Sequence, residues 1–168
     1  MHLQPALDLE GPVELDDLDR AVLWAIRSVA VGRADCPSLR RTFVDLYGPR
    51  ADQILCGLLV MVRLLANRSA GGIRLHMPGG SAVSHDELLI LAALTAMQGE
   101  ACGSADAGLA DVLGEGVDAS LVSAFHYVAE LLSGEGRRLS GPVLPARRPP
   151  ASRRVGAGEV GSSLRMLH

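Results

Sequence analysis

Aromatic residues make up only 3% of this 168-residue chain: two Phe, two Tyr and one Trp. A core cannot then be built on stacked rings. The 48% hydrophobic content is mostly Leu, Ala and Val, which favours closely approaching helices over a sandwich or barrel. Lysine is absent and all sixteen basic residues are Arg, a bias that a GC-rich genome produces without any function. Cys36, Cys56 and Cys102 are odd in number and widely spaced, with no C-x-x-C, and nothing at the N-terminus reads as a secretory signal. A disulfide framework is therefore not expected, and a reducing, cytoplasmic setting is. The longest charge-free apolar run, Ile54 to Val62, stops at Arg63, well short of the roughly 20 residues that span a bilayer. Integral membrane insertion is not expected.

The periodicities present are helical. Leu18, Ala21, Val22, Ala25, Ile26 and Val29 form a stripe that begins behind an acidic cap at Asp16 or Asp17 and stops at Gly32. A second helix, about Pro37 to Tyr47, puts Leu39, Phe43 and Leu46 on one face and an Arg41–Asp45 pair on the other. A third, with Pro49 in its first turn, runs to about Asn67 through "ILCGLLVMVRLLA", and a fourth, about His85 to Met97, carries "LLILAALTAM". Both are apolar on nearly every side, so they are expected to pair at the centre of the fold. A short helix over 106–113 and a last one from an Asp118 cap to about Ser133 complete an all-α irregular bundle of five to six helices in one domain, residues 15–134. A flexible arm, residues 1–14, precedes it. An Arg-, Pro- and Gly-rich tail, 135–168, lacks the apolar surface to offset its ordering entropy and is expected to be disordered.

Four features could carry function. In "RLHMPGGSAVSHDELLILAAL", His76 and His85 flank a glycine pair, with Asp86 and Glu87 beside the second. Ser84 and Glu87 read as an S-x-x-E capping box, which accounts for the acids without chemistry. The alternative is a metal or small-ligand site using His76, His85 and His126, although no H-x-x-x-H spacing fixes two ligands on one helical face. Neither phosphate-loop pattern is present around "MPGG". A Cys–His nucleophile is disfavoured because Cys56 lies within the apolar third helix. No catalytic residue and no cofactor are expected. Trp24 falls off its helix's core stripe beside Arg20, Arg27 and Val31, a patch of the composition found at interfaces, or else a second packing face.

The charge is split. Residues 1–136 hold nine Arg against eighteen acids, whereas 137–168 hold seven Arg against Glu159 alone. Arg137, Arg138, Arg147, Arg148, Arg153 and Arg154 form three pairs that could engage nucleic acid or an anionic membrane, without sequence specificity and with strong salt dependence. The helix–turn–helix order of "SLRRTFVDLYGPRADQILCGLL" does not read as a DNA-binding unit, because its second helix offers no polar face to base edges.

The stretch from "LDRAVLWAIRSV" through "FVDLYGPRADQILCGLLVMVRLLA" to "SHDELLILAAL", residues 18 to 98, resembles a small uncharacterised all-helical family of alphaproteobacteria. The resemblance implies a helical fold and no activity. It also implies cysteines in the loop before "DE", where this chain has "PGG". The expected function is that of a non-enzymatic helical protein–protein interaction or regulatory protein, bound to an unknown partner or to its own copy.

Overall fold

A computed structural model describes residues 13–68, 72–99 and 118–142. These contain five α-helices and no strand: α1 (Asp17–Ala30), α2 (Pro37–Tyr47), α3 (Ala51–Arg68), α4 (His85–Gln98) and α5 (Ala119–Leu132). The all-helical expectation holds for them. The arm over 1–12, the helix expected over 106–113 and the chain from 143 onward lie outside the described residues.

Helix starts follow their caps. The Asp16 carboxylate accepts from the Asp19 amide at 2.7 Å, and Asp118 accepts from the Leu121 amide at 3.0 Å. Ser84 and Glu87 form the reciprocal capping box. The third helix differs from expectation at its start: Pro49 sits in a separate 3₁₀ turn, Gly48–Arg50, and α3 begins at Ala51. Gly48 closes α2 at φ 53°, a left-handed conformation that a side chain would strain, and so breaks the helix before Pro49 could continue it. The ion pair on α2 also differs. It runs from Arg40 to Asp52 on α3, bidentate at 2.8 Å for both bonds, rather than from Arg41 to Asp45.

The two apolar helices do not pair with each other at the centre. α3 packs most extensively on α5 and also against α1 and α2, while α4 packs mainly on α5 and touches α1. An all-round apolar composition reports burial but not which neighbour supplies it. Gly57 sets the α3–α5 approach: a Cβ there would stand 3.1 Å from Val128 Cγ2 and 3.4 Å from the Tyr127 ring. Phe43, Phe125, Leu39, Ile54, Leu58, Leu91 and Leu94 are among the fully buried side chains of the resulting core.

The packed body extends beyond the boundary expected at residue 134. Residues 137–142 lie as an extended strap across the bundle. Leu139 is buried in the core, and its amide donates to Gln98 Oε1 at 2.8 Å. The Ser140 hydroxyl donates to Asp16. Gly141, at φ 72°, rests on Thr95. One buried leucine with no periodic neighbours leaves no pattern in the sequence, which is why the segment reads as tail.

Candidate functional site

The loop between α3 and α4 is organised around one buried arginine. Arg27 projects from α1 with its side chain 4% exposed and meets Glu87, whose side chain is fully buried, in the first turn of α4. Its Nε donates to Glu87 Oε1 at 2.7 Å and its Nη2 to Oε2 at 2.8 Å. The same guanidinium donates to the carbonyls of Gly80 at 2.7 Å and Ala82 at 2.6 Å. Glu87 in turn accepts from the amides of His76, 2.8 Å, and Ser84, 2.7 Å. A bidentate charge-assisted pair, with two further guanidinium bonds and two further carboxylate bonds turned to loop backbone, supplies most of what burial of two charges demands. The rest of the loop follows: Arg74 donates its amide to Asp86 and accepts from the Ser84 hydroxyl, so "GIRLHM" pairs with the cap of α4 instead of forming a strand.

Burial pushes the Glu87 carboxyl up, but the Arg27 guanidinium and the two amides outweigh it and hold the group below its ordinary value of 4.5. A depressed carboxylate contributes stability above its unfolded pKa that is lost as pH falls through its folded one. We expect the unfolding midpoint in urea to decline as pH drops below about 4.5, with that part of the decline absent in Glu87→Gln.

A second buried polar group lies beneath the strap. Asp19 is 1% exposed, neither of its carboxylate oxygens makes a hydrogen bond, and the buried Tyr47 hydroxyl is likewise unpartnered. Burial, reinforced by the Asp16 charge, raises the Asp19 carboxyl against the pull of the nearby Gly141 and Ser140 amides, and burial pushes the Tyr47 phenol to about 12. Here the sign is opposite to that of Glu87: a raised acid favours folding at low pH and loses that contribution as pH rises through its folded pKa. Asp19→Asn is expected to raise the melting temperature at pH 7 and to lose that advantage as the buffer is taken down to pH 4, measured by thermal denaturation.

The residues singled out in the sequence are dispersed. On the α1 face, Arg20 is exposed and pairs with Asp17, Val31 is exposed, and Trp24 is half-buried against the core. Arg27 is turned inward onto Glu87, so its guanidinium does not lie along the indole of Trp24. His76 lies within the loop, half-buried, His85 is exposed as the first residue of α4, and His126 is exposed on α5. Among the described residues no group of three His, Cys, Asp or Glu side chains is placed to hold a metal ion. Arg137 and Arg138 are exposed at the start of the strap, and the four remaining arginines of the tail pairs lie outside the described residues.

Sequence reasoning missed an open groove between α3 and α5. It has a volume of about 230 Å³ and is lined by Gln53, Cys56, Gly57, Val60, Ala124 and Tyr127. Val60 is 48% exposed and Tyr127 50%. Cys56, expected inside the central helix, is exposed there. The signal available was the 3,4,3,4 spacing of Gln53, Cys56, Val60, Arg63 and Asn67, a heptad line on the side of α3 away from its core residues.

No family model, no curated protein and no solved structure matches this chain. Among the described residues no helix is long and apolar enough to cross a membrane.

Proposed function

We propose that this chain is a non-enzymatic helical protein–protein interaction or regulatory protein acting in the cytoplasm, with the resemblance of residues 18–98 to the alphaproteobacterial helical family bearing on its fold alone. The observation that carries this reading is a division of labour in the structure. The buried charges of Arg27 and Glu87 are spent on one another and on loop backbone, whereas the α3–α5 groove leaves apolar side chains in solvent. A fold that commits its central buried ion pair to its own loop and exposes an apolar groove is equipped to bind a surface rather than to carry out a reaction.

The basic tail supports a second, additive role in binding polyanions, since Arg137 and Arg138 are exposed at the start of the strap. Affinity purification from native lysate separates the two. The intact chain is compared with a full-length variant carrying Ala at Arg147, Arg148, Arg153 and Arg154, at low and high salt and with nuclease. Recovery of a defined protein by both chains at high salt supports the interaction reading. Recovery that requires the arginines and disappears with salt or nuclease leaves only the polyanion role.

A further inference from the structure

We infer that the occupant of the α3–α5 groove is a second copy of this chain, docked in antiparallel two-fold symmetry and held by reciprocal Arg63–Glu130 pairs. The inference rests on the interaction reading above and names its partner.

The two helices of the groove run antiparallel. Arg68 at the end of α3 pairs with Asp118 at the start of α5, and Arg50 just before α3 lies over Gly134 just after α5. Gly57 faces Tyr127 and Val128 across the groove. From that level Arg63 lies about 9 Å toward the Arg68 end, and Glu130 about 4.5 Å toward the Arg50 end, at 1.5 Å rise per residue. The exposed face is thus apolar in the middle, with Cys56, Val60, Ala124 and Tyr127, and carries Arg63 on one side and Glu130 on the other. Arg63 and Glu130 are both exposed, and among the described residues neither forms an ion pair.

Such a face is complementary to itself. A two-fold axis lying in the interface and crossing both helices reverses the helix direction, stacks each α3 on its copy, and carries Glu130 of one chain to the level of Arg63 of the other on both sides at once, about one helix spacing of 8–10 Å to the side, a gap the two extended side chains together span. The axis passes near residue 58 or 59, so Cys56 and Val60 straddle it. The alternative axis, parallel to the helices, leaves Arg63 and Glu130 at opposite ends and matches no charges. α3 is about 27 Å long and a helix pair about 18 Å wide, roughly 500 Å² per partner, below the ~800 Å² of a standard interface. By area the dimer falls in the weak, transient class.

Sedimentation velocity of the full chain across concentrations, up to hundreds of micromolar, tests the inference. The wild type is expected to move from monomer to dimer. Arg63→Glu and Glu130→Arg are each expected to weaken the dimer at least tenfold, and the double reversal to restore it to within about threefold, as a direct pair requires. Both positions are exposed, and circular dichroism verifies that the variants fold. With Cys36 and Cys102 replaced by Ser, a short bismaleimide is expected to join Cys56 to Cys56 in the wild-type background and not in either charge-reversed single variant. A chain that stays monomeric throughout, or single variants that weaken the dimer without rescue by the double, overturns the two-fold docking. If the monomeric chain still captures a different protein at high salt, the interaction reading stands and only its partner changes; if it captures nothing, both fall.

Discussion

Arg27→Ala is expected to destabilise the fold by about 3–5 kcal/mol, because it leaves the fully buried Glu87 as an unpaired charge. The loss is not confined to the ion pair. Arg27 also holds the Gly80 and Ala82 carbonyls, and Glu87 holds the His76 and Ser84 amides, so residues 72–84 lose their anchor to α1 and to the cap of α4. Urea denaturation measures the first effect and limited proteolysis within the loop the second. Arg27→Lys is not a conservative change here: four hydrogen bonds leave a planar fork in fixed directions, and a single ammonium cannot reproduce them. It is expected to retain less than half of the lost stability. The apolar double variant Arg27→Met, Glu87→Leu separates charge from backbone. Were the pair alone at stake, that replacement would be near neutral; since four backbone groups lose their partners with it, the double variant is expected to stay destabilised and the loop to stay cleavable.

The strap carries the second large effect. Leu139→Ala removes a side chain that is 4% exposed within the main core and is expected to cost about 2–4 kcal/mol. Gly141→Ala attacks the same contact through the backbone. The glycine sits at φ 72°, where any side chain is strained, and an added Cβ would stand 2.8 Å from Thr95 Oγ1 and 2.9 Å from its Cγ2. Thr95 cannot easily turn away, being branched at Cβ and hydrogen-bonded from its hydroxyl to the Leu91 carbonyl at 2.9 Å. About 1–3 kcal/mol is expected from strain and displacement together. A useful check is amide exchange at Leu139, whose N–H is protected by Gln98: it should become fast in Gly141→Ala even where the helices remain protected. Truncation before residue 137 would combine these losses, so tail function is better tested by replacing arginines than by shortening the chain.

What was legible in the sequence divides by the range of the interaction. The Asp16, Ser84 and Asp118 caps, the ends of α2 and the helical class all follow from residues within a turn of one another, and all appear in the structure. The Arg27–Glu87 pair spans sixty residues. Periodicity placed Arg27 beside Trp24 on a face away from the core stripe, which fits either an interface patch or a second packing face; nothing local shows that the α4 cap and its loop come to meet Arg27 there. The capping box accounted for Glu87 correctly but incompletely, since a carboxylate has capacity for a guanidinium as well as for a helix terminus. The central pairing failed for a related reason. α3 and α4 are both apolar enough to be buried, yet α5, amphipathic and less conspicuous, is the helix each packs against most. The groove was obscured by the same composition: Cys56 and Val60 read as core because their neighbours are core, and only the heptad spacing marks them as a separate line.

If this chain works by surface contact, with its conspicuous polar residues committed to the fold, native mass spectrometry of the purified full chain is the direct test, because one spectrum reports both stoichiometry and bound metal. The expected result is a population at twice the mass of the chain, or at the mass of the chain plus another protein, unchanged by His76→Ala or His85→Ala. A spectrum showing only the single chain with one metal ion bound, lost on His85→Ala, would contradict surface contact and restore the histidine loop as the functional site.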